Sequence, residues 1–259
     1  MRTPFTKMHG AGNDFVMVDD RGGAHPWSPR IIASVAPRGI GIGCEGVILV
    51  QPSDHADFRM RFFNPDGSEA DLCGNGARCV AAFAREIGAA KSDRMTFETR
   101  AGDIAAELLY PDLVKVAMPD PKGVRVDFAD TGVPHAIVAV DDLEAADVAG
   151  EGRRIRFSDE YAPHGTNVDF VKYDPPDSLS IRTYERGVEA ESGACGTGAV
   201  AAAVTGVARR LLRFPVRVAT ARGFELVVGG EFDGDKFRNV TLAGPVSKVY
   251  EGTIDLPTE

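Results

Sequence analysis

The sequence predicts an α+β protein built from two similar halves, each a series of strands interrupted by one central helix. Three observations lead there. The segment Glu69-Ala-Asp-Leu-Cys73-Gly-Asn-Gly-Ala recurs as Glu191-Ser-Gly-Ala-Cys195-Gly-Thr-Gly-Ala, 122 positions further on in a chain of 259. Both copies run on into small apolar residues; in the first, Ala77, Val80, Ala81 and Ala84 share one helical face, and small residues nearly all round imply a helix enclosed by sheet. Apolar runs of strand length stand on both sides of each copy.

Taken in order, Gly10-Ala-Gly12 marks a turn between a short leading strand and Phe15-Val-Met-Val. Asn13, just past that turn, can face a ligand at the strand entrance or simply serve the turn. Ser28 caps and Pro29 opens a short helix over 28–38. The glycine run Gly39–Gly46 leads into the strand Val47-Ile-Leu-Val-Gln, so it is no nucleotide fingerprint, which needs a helix at that point. Phe58–Phe63 alternates as a strand and delivers the polar turn Asn64-Pro-Asp-Gly-Ser. The helix after Cys73 ends near Gly88, and strands are expected over 96–99, 104–110 and 113–118. Met118-Pro-Asp-Pro-Lys-Gly123 breaks the pattern, and the domain boundary is placed there, between residues 117 and 118.

The second half repeats the programme. His135 precedes a strand over 136–140, Asn167 precedes one over 168–173, and a strand over 179–184 leads through Glu185 and Arg186 to the second cysteine turn. From Cys195 a helix runs to Arg209-Arg210, basic residues that suit a helix C-terminus. Strands over 216–219, 225–228 and 239–242 follow, with a last one over 249–256.

Composition narrows the function. A net charge of −9 argues against a nucleic-acid or anionic-membrane surface, which would need clustered Lys and Arg. The N-terminus has no apolar core for an export signal, so a cytoplasmic location is expected. The longest uncharged run rich in apolar residues, Ser192 to Ala208, is 17 residues of mostly Ala and Gly. Spanning a bilayer takes about 20 strongly apolar residues. Cys44, Cys73, Cys79 and Cys195 are expected as reduced thiols, and without a Cys-x2-Cys pair no metal site is expected.

A Cys-Gly-x-Gly turn at a helix start combines two functions. Its unpaired amides and the positive end of the helix dipole bind carboxylates, and the same field favours thiolate at the neighbouring cysteine. Two such turns can hold one carboxylate with a sulfur on each side. One thiolate then removes the α-proton of an amino acid while the other thiol returns a proton to the opposite face. The amides stabilise the enediolate charge that develops between those steps. Cys79 and Cys44, outside this pattern, read as buried hydrophobes.

With His9-Gly-Ala-Gly-Asn-Asp-Phe, Asn64-x-Asp-Gly-Ser-Glu, Cys73-Gly-Asn-Gly-Ala-Arg, Pro134-His135, Gly165-Thr-Asn-Val, Tyr184-Glu-Arg-Gly and Ala194-Cys-Gly-Thr-Gly-Ala in order along essentially its full length, the chain resembles the diaminopimelate epimerases. These are two-cysteine enzymes of lysine and peptidoglycan precursor synthesis that use no cofactor. The resemblance implies two pseudo-symmetric domains, each a curved, mostly antiparallel sheet wrapped around a central helix, with the active site in the cleft between them. It also implies that a C-terminal strand returns to the first domain, which then comprises 1–117 with 247–259, the second being 118–246. By the same resemblance Cys73 and Cys195 are the acid/base pair, and His135 and Glu185 tune the thiols. Gly74, Asn75, Gly196 and Thr197 hold the reacting carboxylate, while Asn13, Asn64, Asn167, Glu185 and Arg186 contact the rest of the substrate. A small amino-acid substrate, diaminopimelate, is implied, and a homodimer is raised as an expectation. The chain departs from the family's usual pattern at Val133, often Asn, and at Gly46, often Gln. The segment from Glu185 to Cys195 also runs one residue longer than usual. The alternative readings are a proline-type racemase of the same fold, a non-catalytic amino-acid binding protein and a thiol redox protein.

Overall fold

The computed structural model describes residues 2–23, 27–110 and 112–256. They belong to two compact units, Met1–Val116 with Gly244–Glu259, and Ala117–Ala243. In the first unit β1 (Arg2–Gly10) and β2 (Asn13–Asp19) form a hairpin. Ala11 and Gly12 at its tip have φ of 52° and 83°, the positive values that match a tight two-residue turn to the twist of the strands. Helix α1 (Pro29–Val35), capped by the Ser28 hydroxyl on the Ile31 amide, carries the chain across to β3 (Gly46–Gln51), parallel to β2. Next come β4 (Phe58–Phe63), antiparallel to β3, the short β5 (Glu69–Ala70), and α2 (Gly74–Glu86). After α2, β6 (Arg94–Thr99) lies parallel to β4, and β7 (Gly102–Tyr110) and β8 (Leu113–Ala117) follow as an antiparallel meander.

The second unit begins with β9 (Lys122–Arg125) and then retraces this path pairing by pairing. The hairpin is β10 (Phe128–Asp130) with β11 (Pro134–Ala139), and the crossover helix is α3 (Val148–Arg156). Strand β12 (Asn167–Asp174) lies parallel to β11 and antiparallel to β13 (Ser178–Glu185), on which β14 (Ala190–Ser192) folds back. Helix α4 (Gly196–Ala208) precedes β15 (Val216–Thr220), parallel to β13, and β16 (Glu225–Phe232) continues the meander into β17 (Phe237–Asp255). The duplicated nine-residue motif is therefore one point of a duplicated topology. Residues Val246–Asp255 of β17 pair with β1, so the last strand completes the first unit.

Each unit is a mostly antiparallel sheet folded around a buried, small-residue helix, as the sequence predicts. Every residue of α4 from Gly198 to Val207 is buried, and α2 buries Asn75 to Ala81 together with Phe83 and Ala84. Small residues leave room for neighbouring side chains to close on the helix: at Gly206 a Cβ would stand 2.7 Å from the Leu212 Cδ1 and 2.8 Å from the Tyr173 ring. Three details differ from expectation. Helix α3 was not foreseen, because Gly150 and Gly152 interrupt its pattern; a Cβ at Gly152 would lie 2.6 Å from the Tyr184 Cβ, so glycine there serves packing. The strands expected over 239–242 and 249–256 are one continuous element of 19 residues. Helix α1 ends at Val35, short of residue 38. Of the C-terminal residues 247–259, residues 257–259 lie outside the described set.

Candidate active site

Cys73 and Cys195 are the N-cap residues of α2 and α4, both with extended backbone. Neither makes a side-chain capping bond. A Ser, Thr or Asp at an N-cap typically contributes about 1 kcal/mol to helix stability, so both helices forgo that stabilisation and keep a sulfur at the helix start. The ladder opens with Ala77 N–H to Cys73 O (2.7 Å) and Ala199 N–H to Cys195 O (3.0 Å). The amides of Gly74, Asn75 and Gly76, and of Gly196, Thr197 and Gly198, precede it at the positive end of each helix.

In the first unit the turn is wired by amides. The Cys73 Sγ lies 3.7 Å from Asn13 Oδ1, and Asn75 Nδ2 donates to the same oxygen at 3.3 Å. Asn13 in turn donates to Glu45. Asn13 therefore belongs to the cysteine turn as well as to the hairpin end. Arg78, fully buried on α2, donates to Asn75 Oδ1 (2.7 Å) and to the Gly74 carbonyl (3.3 Å). Asn64 is placed apart from this network, on the turn after β4, where its side chain donates to Ser68 Oγ at 3.0 Å. Cys79 is fully buried with its pKa pushed up to about 12 by desolvation, and burial also raises Cys44, so both stay inert thiols.

The second unit carries a longer chain. His135 and Asp169 are both completely buried, with Nδ1 2.7 Å from Asp169 Oδ2. A carboxylate can only accept, so a hydrogen is on Nδ1, and the Asn167 amide facing Nε2 is a donor that calls for an acceptor there. Nε2 takes the Thr197 hydroxyl at 3.0 Å, with the Asn167 amide at 3.5 Å. The Thr197 oxygen lies 3.4 Å from Cys195 Sγ, so the thiol can donate to it. Asp169 is held further by the Thr183 hydroxyl (2.7 Å), and Thr131 donates to the Thr197 carbonyl. Asn167 binds the Pro134 carbonyl and receives the Arg186 amide at 2.8 Å, which ties Arg186 to the turn through its backbone. The Arg186 guanidinium touches the Gly165 carbonyl at 3.4 Å. Glu185 closes β13 opposite Ala190, within electrostatic reach of Cys195.

One expectation is corrected. The helix terminus was expected to favour thiolate at both cysteines, but the Cys195 pKa is raised well above the ordinary thiol range. Desolvation is the main cause, followed by the charges of Glu185 and Asp169, and together they outweigh the lowering effect of the Thr197 hydroxyl and the Gly198 amide. Cys195 retains some accessible area, yet its sulfur is deep enough for desolvation to dominate. In the resting second unit this group is a thiol. Asp169, Thr183, Glu45 and Arg78 were not singled out from the sequence. A usable signal existed for Asp169, an acidic residue flanked by Val168 and Phe170 inside an apolar strand.

The positions that depart from the family pattern have distinct surroundings. A Cβ at Gly46 would lie 2.4 Å from the Phe62 ring, which occupies the space a longer side chain would need. Within the longer segment from Glu185 to Cys195, Glu189 stands in a left-handed conformation (φ 56°), pinned by Arg156 of α3 at 3.0 Å. Val133 accepts the Thr131 amide through its backbone carbonyl, and nothing in the structure explains the valine side chain there. Among the described residues, no three His, Cys, Asp or Glu side chains are grouped to hold a metal ion, and no helix is long and apolar enough to cross a membrane.

A family model described as diaminopimelate epimerase matches residues 5–124 and 128–249. Curated proteins named diaminopimelate epimerase include one from Aquifex aeolicus, 39% identical over 96% of this chain and 97% of its own length. One from Chlorobaculum tepidum is 40% identical over 96% of this chain and 100% of its own. Among solved structures, a phenazine biosynthesis protein of the PhzF family from Bacillus anthracis covers 99% of the chain and 100% of its own, with a TM-score of 0.74 at 18% identity. A hydroxyproline epimerase from Agrobacterium vitis, with bound trans-4-hydroxy-L-proline, covers 98% of the chain and 92% of its own, with a TM-score of 0.67 at 19% identity. At those identities the structural likeness speaks for the fold.

Proposed function

The chain belongs to the diaminopimelate epimerase family, and we propose that it interconverts LL- and meso-diaminopimelate by two-base proton transfer. The observation that carries this reading is the equivalence of Cys73 and Cys195. Each stands at the N-cap of the buried helix, at the same point of a repeated topology, and neither spends its side chain on capping.

In the proposed cycle one sulfur enters as thiolate and takes the α-proton, and the C–H electron pair passes into the carboxylate to give an enediolate. Amides at Gly74, Asn75, Gly196 and Thr197 stabilise that charge. The other sulfur, entering as thiol, gives its proton to the opposite face, and the two exchange roles for the reverse direction. The acidic, desolvated surroundings of Cys195 suit the thiol role in the resting protein. His135, oriented by Asp169, and Glu185 tune the pair. Asn13, Asn64, Asn167, Glu185 and Arg186 contact the rest of the substrate, with the Arg186 guanidinium suited to the distal carboxylate. The cycle needs neither metal nor pyridoxal phosphate. A homodimer and a cytoplasmic location are further expectations, the first open to light scattering after gel filtration.

The test is α-proton exchange in deuterated water with chelator-treated protein and no added cofactor. Deuterium at the α-carbon of diaminopimelate supports the reading. Tight binding without exchange points to a binding protein, and faster exchange on proline points to a racemase of the same fold.

A further inference from the structure

Arg78 is a buried cation without a counter-charge. Its residue is 0% exposed, the largest of the fully buried side chains, and its Nε has no hydrogen-bond partner. The two bonds its guanidinium makes go to neutral acceptors, Asn75 Oδ1 and the Gly74 carbonyl. Both lie in the first turn of α2, because helical side chains lean toward the N-terminus of their helix. No carboxylate among the described residues favours the charge; only ionised Cys79 and Cys73 would. An arginine does not shed its proton, and an ion buried without compensation costs several kcal/mol. An anion is therefore called for beside that first turn. Cys79 is a poor candidate, since complete burial pushes its pKa up to about 12.

We propose that Arg78 is a positioning residue whose buried charge holds Cys73 as the thiolate in the resting enzyme. This rests on reading Cys73 as an acid/base group. Seen this way, the guanidinium stabilises negative charge at the turn from the buried side of the helix. Its bond to Asn75 also fixes the amide that donates to Asn13, whose Oδ1 lies 3.7 Å from the Cys73 sulfur. The equivalent residue in the second unit, five positions after Cys195, is Val200, so the effect belongs to one turn alone.

The experiment reads each cysteine separately. Full-length protein without substrate is alkylated with iodoacetamide across a pH series, and site occupancy is followed by peptide mass spectrometry. Arg78→Met should slow Cys73 alkylation at pH 7 about tenfold and move its pH midpoint upward, as loss of an adjacent cation does, while leaving the Cys195 profile in place. Arg78→Lys keeps a charge but cannot bridge Gly74 and Asn75, and should retain most of the Cys73 reactivity. A thermal melt checks that each variant is folded. A Cys73 profile unmoved in folded Arg78→Met overturns the proposal, as does an Arg78→Lys protein as unreactive as Arg78→Met, which would make the role one of packing. If Arg78→Met does not fold, the Lys variant alone decides. Raised KM with an unchanged alkylation profile would assign the charge to the substrate carboxylate and equally overturn it. Because no substrate is present, failure here is distinct from absence of epimerase activity.

Discussion

The turn at Cys73 and the turn at Cys195 follow the same backbone course, but five residues past the thiol the first carries Arg78 and the second Val200. Their surroundings differ just as much. The third residue of the α2 turn, Gly76, faces Ile48, with a Cβ position 2.8 Å from its Cδ1. Its counterpart Gly198 faces Asp169, with a Cβ position 2.5 Å from Oδ1. One turn is underlain by an unpaired cation, the other by a carboxylate bound to His135 with Glu185 near its thiol. Duplication preserved the amides that meet a carboxylate, whereas the charges around them diverged. A symmetric backbone can thus present two thiols in opposite electrostatic surroundings.

The largest expected effect removes either thiol. Cys73→Ser and Cys195→Ser should each lower epimerisation by about 10³-fold, within the range for loss of a general acid or base. A variant that keeps near-full turnover would exclude that sulfur from the chemistry. The pH dependence should separate the two sulfurs. With its pKa raised, Cys195 stays protonated through neutral pH, so its alkylation should rise only above the ordinary thiol range. Rapid alkylation of Cys195 at pH 7 would erase the contrast between the turns.

Asp169→Asn should come next, lowering kcat by about 10- to 100-fold with a smaller change in KM, because His135 loses the carboxylate that orients it. Nitrogen-15 NMR of the imidazole should report hydrogen on Nδ1 in the parent protein and a shift toward Nε2 in the variant. An unchanged tautomer with unchanged kcat would reduce Asp169 to a packing role. The glycines offer a stability version of the same comparison. Gly198→Ala pushes a methyl against a carboxylate held by two hydrogen bonds and should cost about 1–3 kcal/mol. Gly76→Ala meets only the end of a flexible Ile48 side chain, and helix propensity offsets the strain. Chemical denaturation of both variants measures the difference. Smallest is Glu189→Ala, which frees the longer loop from Arg156 and should change stability by less than about 1 kcal/mol.

Much of this was legible in the sequence because it is written in repeats and periods. The paired Cys-Gly-x-Gly turns, the buried small-residue helices and most strands follow from spacing alone. What escaped has identifiable causes. Helix α3 hides behind Gly150 and Gly152, yet the repeat could have revealed it, since α1 makes the same crossover between parallel strands. The Asp169–His135 pair joins residues 34 positions apart through the parallel register of β11 and β12, which no local pattern encodes. Arg78 looks in sequence like the solvated face of a helix, and only its complete burial shows that it is a fixed charge.

Strand β17 has a consequence for the order in which the protein can be completed. The ribosome makes β1 and its hairpin partner β2 together, but the second antiparallel partner of β1, from Val246 to Asp255, lies more than 200 residues further along the chain. Synthesis proceeds at about 5–20 residues per second, so the opening strand waits tens of seconds for that partner. During that interval the nascent chain presents an unmated edge, the kind of surface on which chains aggregate. The second unit, whose sequence is continuous from Ala117 to Ala243, has its full complement of residues before the first does. The half that is born first is finished second.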